Sequence, residues 1–195
     1  LTPGKLSCSS DAKAWTDLVY GYTNANHAAI ELSNSGETTL TDVKAELKDG
    51  TAFQIVSSPA GQISVGNKTI VSVKPVNGLG AGSYSDTLVI STANGSANVT
   101  LKATVAKGEN TAVVTLTKTS VTSDSVTVSG QVSGAAGEIE YAISSEKDVD
   151  ASKLTWQNGA QFTGLKEFTT YYVRGRVKET ANVESGQISQ ALEVT

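Results

Sequence analysis

The chain has 195 residues, 38% of them hydrophobic and 17% charged, with 18 Gly, 3 Pro and a net charge of −4. That length suits one large domain or two of about 100 residues, each able to bury its own core, and the acidic balance excludes a basic footprint for nucleic acid. No apolar run approaches the roughly 20 residues that span a bilayer as a helix, and the abundance of Val, Ile, Thr and Ser points to pleated, half-buried surfaces.

In chain order, the first elements are Trp15, Tyr20 and Tyr22, an aromatic group near the N-terminal strand in which Tyr20 and Tyr22 are expected to share one face. Ala28, Ile30 and Leu32 alternate with Ala29, Glu31 and Ser33 and stop at Asn34-Ser35-Gly36; Val43, Ala45 and Leu47 alternate up to Asp49-Gly50. Phe53 and Ile55 start a short strand, and Val71 and Val73 precede Pro75, which cannot donate to a ladder and so should end its strand. Tyr84, Leu88 and Ile90 follow, turned at Asn94-Gly95, and Val99, Leu101, Ala103 and Val105 complete the half with strict period two. The polar segment from Ala106 to Thr111 reads as a domain boundary, dividing the chain into 1–107 and 108–195.

The second half repeats this grammar. Val114 and Leu116 open it; Val126, Val128, Gly130 and Val132 alternate before the Gly134–Gly137 turn; Ile139, Tyr141 and Ile143 alternate with Glu138, Glu140 and Ala142. Tyr171, Val173, Gly175 and Val177 form a long strand, and Ile188 to Val194 should close the sheet. Helical spacing is weak, with single turns expected at Asp11–Trp15 and Asp148–Leu154. Strand signals at this regular spacing predict an all-β chain of sandwich type.

Two runs carry family resemblances. Phe162-Thr163-Gly164-Leu165, followed by Tyr171-Tyr172-Val173-Arg174-Gly175-Arg176-Val177, together with Gly137 to Ser144 and Trp156-Gln157, resembles a fibronectin type III domain of secreted Gram-positive bacterial proteins. The resemblance implies that Tyr171 is a corner tyrosine with its ring buried and its hydroxyl bonded to backbone. It departs at Gly130, where that fold often carries a buried Trp; Trp156 or Tyr141 is left to fill the space. Tyr20-Gly21-Tyr22, Leu40-Thr41-Asp42-Val43, Val73-Lys74-Pro75 and Gly78 to Leu88 resemble the immunoglobulin-like modules of multi-domain bacterial surface proteins. Together these imply two tandem immunoglobulin-like and fibronectin type III-like β-sandwiches. Neither family has catalytic residues to carry over.

The chemistry available is sparse. His27 is the one histidine and Cys8 the one cysteine, so an internal disulfide is excluded, an ordinary zinc site cannot be assembled, and a nucleophile–base pair is not expected. Glu146, Asp148 and Asp150 form the densest acidic cluster but lack the spacing and turn Gly of an EF-hand loop, so they read as a solvated loop. No cofactor is expected. Outward Glu138 and Glu140 are expected to face Arg174, Arg176 and Lys178 across neighbouring strands, a self-complementing face rather than a polyanion site. An isopeptide bond needs a buried Lys, and the lysines fall out of phase with the apolar residues.

Sugar-binding modules stack pyranose faces on exposed aromatics, which makes Trp15, Tyr20 and Tyr22, or Trp156 and Tyr172, the candidate stacking residues; for the first three, packing of the N-terminal strand against its own sandwich is the preferred reading. The chain starts at Leu1 without any Met and is expected to be a processed or excised piece of a longer protein. The functional expectation is a non-catalytic extracellular spacer or display pair in a secreted or wall-attached bacterial protein, partnered by neighbouring domains and inserting in no membrane. The alternative is an adhesion or carbohydrate-recognition module for a glycan or host surface protein.

Overall fold

A computed structural model describes all 195 residues. The chain forms two compact units, Leu1–Lys107 and Gly108–Thr195, and both are built from strands, as the two-residue periodicity predicts.

The first unit contains β1 (Leu6–Cys8), β2 (Ala12–Val19), β3 (Ala28–Asn34), β4 (Lys44–Leu47), β5 (Phe53–Ser57), β6 (Lys68–Pro75), β7 (Gly82–Thr92) and β8 (Gly95–Ala106). They form two four-stranded sheets, β1-β3-β6-β5 and β2-β8-β7-β4. Apart from β2, which runs parallel to β8, this is the strand order of an immunoglobulin sandwich. The alternating apolar residues meet between the sheets: Ile30, Leu32, Val71 and Val73 from one, Leu88, Ile90, Val99 and Leu101 from the other, all fully buried. β6 ends at Pro75, where the ladder loses its donor.

The helical turn expected at Asp11–Trp15 is instead part of β2. The three-residue step from Trp15 to Leu18, which mimics a helical period, comes from a bulge: Trp15 lies opposite Ala103 and Leu18 opposite Val105, so three positions of β2 span two of β8. Both residues therefore point into the core. Trp15 packs on Phe53 with ring centroids 5.7 Å apart, tilted at 48°, and its indole N–H donates to the Asn26 carbonyl at 2.6 Å.

The second unit contains β9 (Val113–Val121), β10 (Ser125–Ser133), β11 (Ile139–Ser144), a 3₁₀ turn (Ala151–Lys153), β12 (Gln161–Thr163), β13 (Tyr171–Val177) and β14 (Leu192–Val194). Its sheets are β12-β10-β9 and β11-β13-β14, the order of a fibronectin type III sandwich, and Gln157 adds an isolated bridge beside Tyr141 on the outer edge of β11. The 3₁₀ turn falls inside the span expected at Asp148–Leu154. The segment from Ile188 pairs regularly only over Leu192–Val194; before that, Ser189 donates its backbone N–H to Gly175 and accepts the Gly175 N–H on Oγ.

Gly130 is explained by close packing. A Cβ there would lie 2.7 Å from Ile139 Cδ1 and 3.0 Å from Tyr141 Oη. Tyr141 and Ile139, not Trp156, occupy the space. Tyr171 is half-buried, and its hydroxyl accepts the Lys166 N–H at 3.1 Å. The first unit has the same device: Tyr84, early in β7, donates its hydroxyl to the Gly80 carbonyl at 2.9 Å. Each tyrosine thus ties the start of its strand to the loop that enters it.

Candidate functional site

The aromatic group of the first unit arises where β2 ends. Tyr20 follows the strand, with its N–H donated to Ala106, and Gly21, at φ 90, turns the chain so that the Tyr22 N–H reaches Val19. Tyr20 and Tyr22 therefore sit in a turn rather than on one strand face. Trp15, Tyr20 and Tyr22 line a single shallow groove of about 450 Å³ with Asp17, Asn24 and Asn26 on its polar side.

The three rings differ in what they offer. Trp15 is 7% exposed and is clamped between Phe53 and the Asn26 carbonyl, so its faces are spent in the core. Tyr22 is half-buried, donates its hydroxyl to the Val76 carbonyl, and has its phenol pushed up by burial. Tyr20, 40% exposed, is the ring of this group that faces solvent. Asn24 also holds the Lys74 ammonium at 2.8 Å.

The second candidate pair lies on the outer face of β11-β13-β14. The cross-strand ladder expected there is only partly formed. Arg176 lies opposite Glu140 and pairs with it at 2.6 Å, Nε to Oε1. Trp156 covers that pair, its ring 4.2 Å from the Arg176 guanidinium carbon. Glu140, expected to face outward, is consequently 8% exposed, and Ala142 beside it is fully buried. The solvent side of this sheet has a lid: an indole over a guanidinium over a carboxylate.

Arg174 lies opposite Ala142 and donates to the Lys147 carbonyl, while Lys178 donates to Asn158 Oδ1 at 3.2 Å. Lys178 does lie beside Glu138, its backbone N–H donating to the Glu138 carbonyl at 2.8 Å, but the expected side-chain pairing of Glu138 with Arg174 or Lys178 does not form. One face of Trp156 is therefore taken by Arg176, and the half-buried Tyr172 lies opposite Ser144 and Glu193 on the flanking strands.

The remaining polar groups serve local structure. Cys8 is partly buried on β1 opposite Leu32, and burial raises its thiol above the ordinary range, which lowers its thiolate fraction. His27 is exposed just before β3. Asp150 caps the 3₁₀ turn by accepting from Ser152 N and Oγ at 2.8 and 2.7 Å, and those bonds hold its carboxyl below the ordinary range. No cluster of three or more His, Cys, Asp or Glu side chains converges on one point.

Asp86 carries a role that sequence reading missed. Burial raises its pKa, but the N–H groups of Gly50, Thr87, Asp49 and Lys48 outweigh that and hold it below the ordinary range. Its two oxygens take the Asp49 and Gly50 N–H groups at 3.1 and 2.8 Å, clamping the turn after β4. The only signal was an Asp-Gly turn and a lone Asp inside an otherwise uncharged strand. Asn34, buried on β3, plays a similar part: its amide bonds Lys5 N, Gly36 N and the carbonyls of Thr38 and Ile63.

No family model matches the chain, and no curated protein matches its sequence. Among solved structures it is similar to the FN1-FN3 domains of chicken CNTN1, at 13% identity over 99% of this chain and 65% of that one, with a TM-score of 0.43. It is similar to a two-domain fibronectin type III segment of chicken tenascin, at 14% identity over 100% of this chain and 99% of that one, with a TM-score of 0.32. It is also similar to part of the Vibrio cholerae VesB protease, at 16% identity over 52% of this chain, with a TM-score of 0.37. The chain spans 32% of the protease chain and 65% of the CNTN1 chain, less than two thirds of each.

Proposed function

We propose that this chain is a non-catalytic pair of spacer or display modules from a larger secreted or cell-surface bacterial protein. The observation that carries this reading is where the ligand-competent side chains go. Trp15 is spent on the core, Tyr84 and Tyr171 on strand entry, and Trp156, Arg176 and Glu140 on covering a sheet face. Groups that would bind a partner are invested in stiffness, as a module holding its neighbours at a fixed reach requires. The resemblance of both halves to modules of Gram-positive secreted proteins supports an extracellular or wall-attached setting, with neighbouring domains as the direct partners.

The test is a paired screen of the purified chain. A spacer gives flat glycan-array and host-protein pull-down profiles and no hydrolysis of glycoside, ester or peptide substrates. A hydrolytic activity removed by one point substitution overturns it.

A second reading, recognition of a glycan or host surface protein, has one observation in its favour: the groove that joins exposed Tyr20 to Asp17, Asn24 and Asn26. One ring face beside hydrogen-bonding side chains suits a pyranose. Binding that Tyr20→Ala abolishes and Trp156→Ala leaves intact would establish it.

A further inference from the structure

The strongest unexplained feature lies at the corner between β12 and β13. Phe168 is 93% exposed and holds a left-handed backbone, φ 56. Such a conformation is unfavourable for a bulky residue, and exposing a phenyl ring to water forgoes the hydrophobic gain of burying it. The corner itself is fixed. Tyr171 anchors Lys166, and the Leu165 N–H is bonded to the Asp124 carbonyl at 2.9 Å. The ring is thus presented on a rigid base rather than on a loose loop.

Beside it opens a mostly apolar cleft of about 270 Å³, walled by Val121, Val126, Leu165, Tyr171 and Val194. Phe168 stands at its rim without filling it. An apolar cavity of about 150 Å³ is enough to hold benzene, so this cleft has room for a phenyl side chain arriving from outside. A projecting ring and an empty hole thus share one patch.

We infer that this patch pairs with its own copy: Phe168 of each chain seats in the cleft of the other, about a two-fold axis. Adjacency of knob and hole makes the surface self-complementary, so the exchange closes at two chains; a distant pocket would instead propagate into open filaments. Charge agrees with that arrangement. Lys166 and Glu167 are both exposed next to the ring, and a two-fold axis brings the cation of one copy towards the anion of the other, which favours this register over a parallel one.

The patch is small, so the dimer is weak. Interfaces below about 1,200 Å² belong to transient encounters, and association is expected to develop between roughly 10 µM and 1 mM. Sedimentation velocity of the full 195-residue chain over that range should show the dimer fraction rising with concentration. Phe168→Ala should stay monomeric throughout while keeping the wild-type melting temperature, because the ring makes little contact in its own unit. Lys166→Glu should weaken dimerisation by roughly fivefold, and adding Glu167→Lys should restore it, since swapping both charges preserves their match. A wild-type chain monomeric up to the highest concentration overturns the inference. So does a dimer that Phe168→Ala leaves unchanged, or a species that grows beyond two copies.

Discussion

The two units solve one problem with different means. The first closes two four-stranded sheets over a single continuous core that takes in Trp15, Phe53, Leu40 and Ile63 along with the strand residues. The second has three strands in each sheet, and its buried residues divide into a cluster around Tyr141, Phe162 and Val173 and a smaller one around Ala112, Val114 and Val177. A small apolar interior leaves less hydrophobic stabilisation. The second unit adds a polar lid outside its sheet, where Trp156, Arg176 and Glu140 stack. The lesson concerns the aromatics: Trp15 stabilises from within, Trp156 from without.

The sharpest way to break that contrast is to hollow each core and watch the two tryptophans, since each unit contains one. Phe53→Ala should cost about 3–5 kcal/mol, because Phe53 is 1% exposed and supports the Trp15 ring. Phe162→Ala should fall at the low end of that range, because β12 is a three-residue edge strand free to collapse towards the gap. Urea unfolding followed by fluorescence, with Trp15 and Trp156 each changed to Phe in turn, separates the two transitions. Equal losses would remove the distinction between the units.

The lid provides the next largest effect. Removing one member of a buried pair leaves the other charge uncompensated, at a cost of several kcal/mol; with Arg176 about a quarter exposed, Glu140→Ala should cost about 2 kcal/mol. The companion Arg176→Met, made with Glu140→Leu, should recover most of that loss, because an apolar pair under Trp156 needs no desolvated charge. A double-mutant cycle reads the coupling directly. If it is near zero, the stack is decoration and the second unit stands on its apolar clusters alone.

How much of this was legible in the residues depends on the scale at which they act. Period two exposed nearly every core strand, because β pleating places alternate side chains on one face whatever the surroundings. Pro75 and the Gly-rich turns marked strand ends for local reasons of backbone chemistry. Glu140 was misread as outward because phase along β11 identifies a face but not what covers it; the cover comes from Trp156, distant in sequence. Packing of Trp15 against its own sandwich is legible from the sequence, but the helical turn expected at Asp11–Trp15 is not what forms, since a bulge changes the phase at one point and no local signal announces it. The candidacy of Trp15 for ligand stacking ended with that burial, whereas Tyr20 kept its exposed ring. The Tyr84 anchor has a weaker signal: a Gly-Leu step, Gly78-Leu79, precedes Tyr84 with five residues from Leu to Tyr, one fewer than the six that separate Leu165 from Tyr171 at the second unit's corner.

Those two anchors give a smaller and more discriminating test. Tyr84→Phe removes a hydroxyl donor from a partly buried carbonyl, whereas Tyr171→Phe releases an exposed N–H that water can take over. A hydrogen bond of this kind contributes about 1 kcal/mol when its partner stays buried. The first substitution should approach that figure and the second fall to a few tenths of it, each read in the transition of its own unit. The reverse order would mean that the second unit, with its smaller core, depends more heavily on its corner.

The smallest expected effect is one of pH, and it belongs to the first unit. Asp86 titrates below an ordinary carboxyl because folding surrounds its charged form with backbone N–H donors, burial notwithstanding. Its pKa is therefore lower folded than unfolded, so the unfolded chain takes up the proton first as pH falls. Above the unfolded value, near pH 4, Asp86 contributes its full stabilisation; as acid carries the solution down through the folded value, that contribution is lost. Asp86→Asn should lower the stability of the first unit at neutral pH and flatten its decline in acid, leaving the Trp156 transition unmoved. Asp150, whose carboxyl is held low by Ser152 at an exposed turn, is the matched control: Asp150→Asn should leave the acid limb of the first unit as it is. If Asp86→Asn and wild type lose stability in parallel between neutral pH and pH 2, the turn clamp is not what Asp86 supplies, and the link between β4 and β7 rests on their ladder alone.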